Sequence, residues 1–392
     1  MKIVVLGGAG MMGCIAVQDL ARSAPVDEVM IADLNVERAQ EVAAYIDSPK
    51  VSIMPVDVRD HEALVGALRG AQTCLNATVY YTNLKVMGAC LEAGVHYTDL
   101  GGLFHTTRKQ LQLHEQFSSA GLSAILGMGS APGIPNVQSR YAVDRLDSVE
   151  SVRIYDGIKP PPPHVVAFSY AVPTILDELT MSPMVYQEGE YDAVKPLTGF
   201  EDFCFTPPLG FLPMHFSLHS EVATIPSSFR HKGLRECFFK INYWGMAPET
   251  VEKVKVLADF GFASREAVQV GSMEVAPRDL MVALLGQYVP PILSFLEPPQ
   301  KEPPDWAKEI VTVIQGTRYG KPVTFRVGTL TVKGSLPTGV APSIAAQWLA
   351  EGHIPPGVYP PEVALDPEPF FTQLNQRGIP TQVSVTEFVQ DR

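Results

Sequence analysis

Cysteine is scarce and shows no pairing pattern. The 392-residue chain has five, Cys14, Cys74, Cys90, Cys204 and Cys237. An odd, widely spaced set without a C-x-x-C pair excludes a disulfide framework or zinc ribbon and fits thiols in a reducing compartment. Long apolar runs are missing as well, since no stretch approaches the ~20 residues of a membrane span. "MKIVVLGGAG" reaches glycine after a single strand's length of apolar residues, without the three-part pattern of a signal peptide. The expectation is a cytoplasmic protein with no membrane association. Positive charge is in deficit, with 30 Lys+Arg against 42 Asp+Glu and a net charge of −12, so nucleic acid is not an expected partner. H-E-x-x-H, G-x-S-x-G and Walker glycine loops are absent. His215 and His219 in "MHFSLH" are four apart but lie on proline-rich, strand-like flanks, so no metal is expected.

What is present is a chain that is 46% hydrophobic and 18% charged, enough to bury a core and long enough for two domains. Before about residue 130, "KIVVLGG", "EVMIADL", "VSIMPVDV", "TCLNAT", "HYTDLG" and "SAILGMG" alternate with helical stretches such as "HEALVGALRG". Apolar runs with little alternation suit strands covered on both faces, hence a parallel sheet with helices on each side. After 130 the strands lengthen and alternate ("SVRIYDG", "ECFFKINYWG", "KPVTFRVGTLTVKG"), as in a mixed or antiparallel sheet. The proline stretches at 160–163 and 298–304 read as loops or crossovers. In "PSIAAQWLAEG", Ile344, Ala345, Trp348 and Leu349 fall at helical spacing and the pattern ends at Gly352, a core helix.

"GGAGMMG" carries two glycine spacings, Gly8-x-Gly10-x-x-Gly13 and Gly7-x-x-Gly10-x-x-Gly13. Both place a pyrophosphate on a helix N-terminus: one glycine turns the chain, the next admits the phosphates, and the last lets helix pack on strand. A second strand follows and ends in Asp33, whose carboxylate can accept from both ribose hydroxyls and repels a 2′-phosphate. NAD is therefore expected over NADP, with Arg38 the nearest cation able to reverse that preference. Gly8, Ala9, Gly10, Met11, Met12, Gly13 and Asp33 form the expected cofactor site, joined by Asp57 and Val58, and by Asn76 and Ala77 at the end of "TCLNAT", where Asn76 is placed for the nicotinamide ribose. Tyr81 and Lys85 match the Tyr-x-x-x-Lys letters of short-chain dehydrogenases but fall too early in the chain to serve.

The ordered set "VHYTDLGG" (95–102), "GMGSAPGIPNVQSRYAV" (127–143), "LHSEVATIPSSF" (218–229) and "PPGVYPPEV" (355–363) resembles the saccharopine dehydrogenase-like family, in particular its lysine 6-dehydrogenase branch. The resemblance implies a doubly wound α/β Rossmann domain (1–130 and a returning segment, 337–392) with an inserted α+β catalytic and dimerisation domain on a mixed sheet (131–336). It also implies a homodimer that oxidises a C–N bond of a small amino acid with NAD or NADP, lysine being the first candidate. Ala131-Pro132-Gly133 replaces the Asp-Pro-Gly of saccharopine-forming enzymes, and "HSE" at 219–221 departs from the branch's own motif.

Hydride loss from a carbon bearing nitrogen needs a neutral amine, a tolerated iminium and a base for water. Asp99, at the end of a parallel strand, is the expected group for steadying the developing cation, with His219 and Glu221 as acid/base or substrate contacts. Asn136 and Arg230 are the expected substrate-binding residues, an arginine fork matching a carboxylate; Arg235, Arg140 and Arg318 are alternatives, and Tyr359 reads as structural. A non-catalytic NAD-binding sensor would need the glycine loop and Asp33 but not Asp99 or His219. An opine- or polyamine-type reductase forming a C–N bond would differ only in substrate.

Overall fold

The unalternated apolar runs become strands covered on both faces. In the computed structural model, which describes residues 1–160, 168, 170–297, 307–332 and 334–387, the first third contributes β1 (Lys2–Leu6), β2 (Glu28–Asp33), β3 (Val51–Pro55), β4 (Thr73–Asn76), β5 (His96–Asp99) and β6 (Ser123–Ile125). Gly357–Tyr359 joins them in a parallel sheet ordered 357–359, β6, β5, β4, β1, β2, β3. Strand order reverses at β1, which opens a crevice at the carboxyl ends of β1 and β4. One face of this sheet is covered by helices Gly13–Arg22 and Leu336–Ala350, the other by His61–Leu68 and Asn83–Ala93.

The alternating strands form a mixed sheet ordered 201–204, 211–216, 236–241, 148–158, 308–318, 321–331, 381–387. Only 236–241 runs parallel to its neighbour 148–158; the other pairings along this order are antiparallel. The hairpin Lys308–Arg318/Lys321–Thr331 closes on Tyr319-Gly320 with φ of 54° and 72°, the two left-handed residues that a tight hairpin turn requires. Helices Val172–Thr180 and Glu221–Phe229 seal the sheet's inner face with Phe239, Trp244 and Phe325.

The chain passes between the sheets more often than expected. Residues 336–376 return to the parallel sheet, but 381–387 pairs in register with 323–329, which corrects the assignment of 337–392 as a whole to the nucleotide-binding domain. The alternation in "TQVSVTE" suits an edge strand, and Lys321–Thr331 offers an open backbone edge. The expected proline loops at 161–163 and 298–304 lie outside the described residues. Among the described residues no helix is long and apolar enough to cross a membrane.

The returning helix seats tightly on the nucleotide-binding helix. A Cβ at Gly339 would stand 2.5 Å from Ile15 Cβ and 2.9 Å from the Ala16 backbone nitrogen, so backbone meets side chain directly there. Gly339→Val is expected to lower stability by ~1–3 kcal/mol through overpacking, read from the denaturant midpoint. A variant as stable as its parent would show that the two helices stand apart.

Candidate active site

The glycine loop begins where β1 ends. Gly7 takes φ 72°, its N–H donates to Ala32 O at 2.9 Å, and Gly10 N–H returns to Gly7 O at 2.9 Å, closing the turn. A Cβ on Gly13 would stand 2.1 Å from Gly7 O, and one on Gly8 3.0 Å from Val5 O, so helix Gly13–Arg22 reaches the strand only because both are glycine. That helix carries no acidic residue in its first turn, which leaves its positive end free for an anion. Residues 8–13 therefore fit a dinucleotide pyrophosphate. Asp33 Oδ2 accepts from Ala9 N–H at 3.0 Å and Oδ1 from Asn35 N–H at 2.9 Å, tying the loop to the end of β2. Arg38 is exposed. Asp57 pairs with Arg59 at 2.8 Å, Val58 is half-buried beside it, and Ala77 O backs onto Gly7.

A cavity of about 260 Å³ runs from this loop to the mixed sheet. Met11, Thr78, Gly101 and Pro132 wall one end. Asp156, Tyr170, Glu178, His219 and Lys308 line the other. His219 lies one step before helix Glu221–Phe229, its ring stacked on Phe239 at 3.8 Å and 7°. Nδ1 meets a Glu221 carboxylate oxygen in a short contact, leaving Nε2 as the nitrogen without a protein partner among the described residues. Burial works against the imidazolium, but Glu221, Glu178 and Asp156 outweigh it and raise the His219 pKa. Asp156 Oδ2 holds Lys308 Nζ at 2.9 Å. Glu178 Oε2 accepts from Trp244 Nε1–H at 2.7 Å, Tyr170 O–H at 3.0 Å and Ser217 O–H at 3.1 Å. Burial pushes both carboxyls up against these partners.

Several expected roles do not fit. Asp99 is 1% exposed and takes five donors: Gly101 N–H (2.9 Å) and Gly127 N–H (2.7 Å) on Oδ1, and Asn83 Nδ2–H (3.0 Å), Gln110 Nε2–H (2.6 Å) and Tyr97 O–H (2.8 Å) on Oδ2. Saturated and enclosed, it positions the loop instead of meeting a substrate cation. Asn76 is likewise 1% exposed, donating to Asn83 Oδ1 at 3.0 Å and accepting from Thr78 N–H at 3.2 Å, so it sets the Ala77–Thr78 wall and does not reach a ribose. Asn136 spends its amide on Glu362 (2.8 Å), Thr224 (3.3 Å) and Gly133 N–H (3.0 Å). Arg230 is exposed at the far end of the helix that begins with Glu221. Arg235 pairs with Glu188, Arg318 with Glu387, and Arg140 with Asp144 and the Leu365 carbonyl.

Asp156, Tyr170, Glu178 and Lys308 escaped sequence reasoning. The one signal was a charged or polar residue interrupting an apolar strand or helix face, as Asp156 does in "SVRIYDG". Asp99→Ala, which strands five donors, is expected to cost at least ~3 kcal/mol in denaturant unfolding. Undiminished stability together with lost turnover would return Asp99 to the chemistry.

Comparison with known proteins agrees with this architecture. A family model described as the saccharopine dehydrogenase NADP binding domain matches residues 3–125, and one described as the saccharopine dehydrogenase C-terminal domain matches residues 129–379. Carboxyaminopropylagmatine dehydrogenase of Synechocystis is 24% identical over 404 residues, covering 97% of each chain. Carboxynorspermidine synthase of Vibrio alginolyticus is 23% identical over 73% of this chain and 72% of that one. The apo saccharopine dehydrogenase (L-Glu forming) of Saccharomyces cerevisiae shares the fold, with a TM-score of 0.67 at 17% identity over 98% of this chain and 99% of that one. A glycine loop built for a pyrophosphate, a cavity running from it to a charged mixed sheet, and models that together span nearly the whole chain place the protein in the saccharopine dehydrogenase family of pyridine-nucleotide oxidoreductases.

Proposed function

We propose that the protein is an NAD-dependent oxidoreductase of a C–N bond between a polyamine-type amine and a carboxylate-bearing carbon chain, working in the direction of bond formation. The observation that carries this reading is the cavity's far end, where Asp156, Glu178 and His219 meet at the mixed sheet. Carboxylates there suit a substrate rich in amino groups. The printed names of the relatives, one on an agmatine and one on a norspermidine, each with a carboxy-bearing group, support the same class.

In the forward direction an amine and an aldehyde lose water to form an imine; the imine nitrogen then gains a proton and its carbon takes a hydride, giving a secondary amine. The nicotinamide supplies the hydride when bound. Gly8, Ala9, Gly10, Met11, Met12 and Gly13 would hold its pyrophosphate, and Asp33, next to the loop, favours an unphosphorylated ribose. His219 holds a proton at Nε2 and can hand it to the substrate, with Glu221 fixing the ring and stabilising the protonated form.

Mixing a diamine or agmatine with an aldehyde that carries a carboxylate should consume NADH faster than NADPH, followed by absorbance. Oxidation of lysine alone as the sole turnover would restore the lysine 6-dehydrogenase reading, and nucleotide binding without turnover on any amine would restore the sensor.

The proton donor has a pH signature. Because the His219 pKa is raised, reductive turnover should hold through neutral pH and fall as pH climbs through that raised value, above the ordinary ~6.5. Glu221→Gln removes the main partner of the cation, so the falling limb should move to lower pH. His219→Asn should lower kcat by ~10²–10⁴ with NADH affinity retained. A limb that stays in place in Glu221→Gln would assign the proton to another group.

A further inference from the structure

Two buried carboxylate oxygens beside the cavity lack a hydrogen-bond donor among the described residues, Asp156 Oδ1 and Glu221 Oε1. Leaving such an oxygen unpaired costs ~1–3 kcal/mol, so each calls for a partner. Glu221 is fully buried behind His219. Asp156, 3% exposed, is on the cavity wall itself.

The backbone gives Asp156 little freedom. It lies in the middle of the mixed sheet, in register with Ile241 on one side and Ile310 on the other, and Oδ2 is anchored on Lys308 Nζ. Oδ1 is therefore held in place as a buried acceptor, on a residue that lines the cavity together with the apolar side chains of Ile158 and Ile241.

The surrounding charges are consistent with this. Around this end of the cavity, among the described residues, the acids Asp156, Glu178 and Glu221 stand beside Lys308 and His219. A cation arriving at Oδ1 would offset the burial that disfavours the Asp156 carboxylate.

We infer that Asp156 is a specificity-determining residue that seats the distal cation of the substrate, a primary ammonium or guanidinium which is not the reacting nitrogen, through an N–H donated to Oδ1. The alkyl stem lies along Ile158 and Ile241, and the reacting nitrogen points toward the glycine loop. A monoamine of the same length leaves Oδ1 unpaired and is discriminated against for that reason. The inference rests on the C–N oxidoreductase reading for the identity of the reacting end; the cation seat itself is independent of it.

Two measurements on the full-length protein test the seat. In reductive turnover with NADH and one carboxylate-bearing aldehyde, 1,4-diaminobutane should exceed 1-aminobutane in kcat/KM by roughly tenfold or more, and Asp156→Asn should bring the ratio close to one. By calorimetry, 1,4-diaminobutane should bind the wild type and lose roughly tenfold or more in affinity in Asp156→Asn, with NADH affinity unchanged as the check that the variant is folded. Diamine binding that depends on Asp156, without turnover of either amine, would overturn the reaction reading and leave the seat standing. Turnover of both amines with equal kcat/KM would overturn the seat and leave the reaction. If Asp156→Asn fails to fold, the wild-type ratio decides alone, and absence of diamine binding to the wild type overturns the proposal outright.

Discussion

One enclosed carboxylate organises the junction between the two sheets. Asp99 gathers Tyr97 from its own strand, Asn83 and Gln110 from two helices, and the backbone N–H groups of Gly101 and Gly127. Burial raises the Asp99 pKa against the opposing donors Gly127, Gln110, Tyr97 and Gly101, and the groups around the carboxylate hold one another in place. The loop after β5 is pinned as a result. A Cβ on Gly101 would stand 2.7 Å from Pro132 Cγ, so the cavity rim built by Gly101 and Pro132 inherits its position from Asp99.

Asp99 and Asp156 show how donor number separates two uses of one residue type. Each lies near the carboxyl end of a strand and each is buried to within a few per cent. Asp99 has both oxygens satisfied and serves as a fixed joint. Asp156 has one oxygen committed to Lys308 and one without a donor among the described residues. Position at a strand end narrows the candidates; the count of donors around the carboxylate chooses between them.

That contrast also explains what could be read from the chain. The loop from Gly7 to Gly13 and Asp33 lies within 27 consecutive residues, and each glycine answers to a local steric demand, so spacing alone locates it. His219 and Glu221 are two apart and were visible as a pair. Asp156 and Lys308 are joined only by the register of the mixed sheet, and Glu178 meets Trp244 across a helix and a turn. No local pattern announces such partners. Asp99 was visible as a residue but not as a saturated one, because its donors come from positions 83 to 127. Arginine was sought on the chemistry of carboxylates, whereas tertiary structure turns each weighed arginine toward another acid or carbonyl, or toward solvent.

The last strand carries a consequence for the molecule as a mechanical object. Because residues 381–387 complete the mixed sheet and 336–376 pack on the parallel one, the chain changes lobe three times, after Ile125, after Thr331 and after Gln376. The lobes are thus tied to each other by three covalent connections. Neither lobe is one uninterrupted stretch of chain, so no single cut separates them, and removing residues 381–387 takes a strand from the sheet that carries Asp156 while sparing the one that carries the glycine loop.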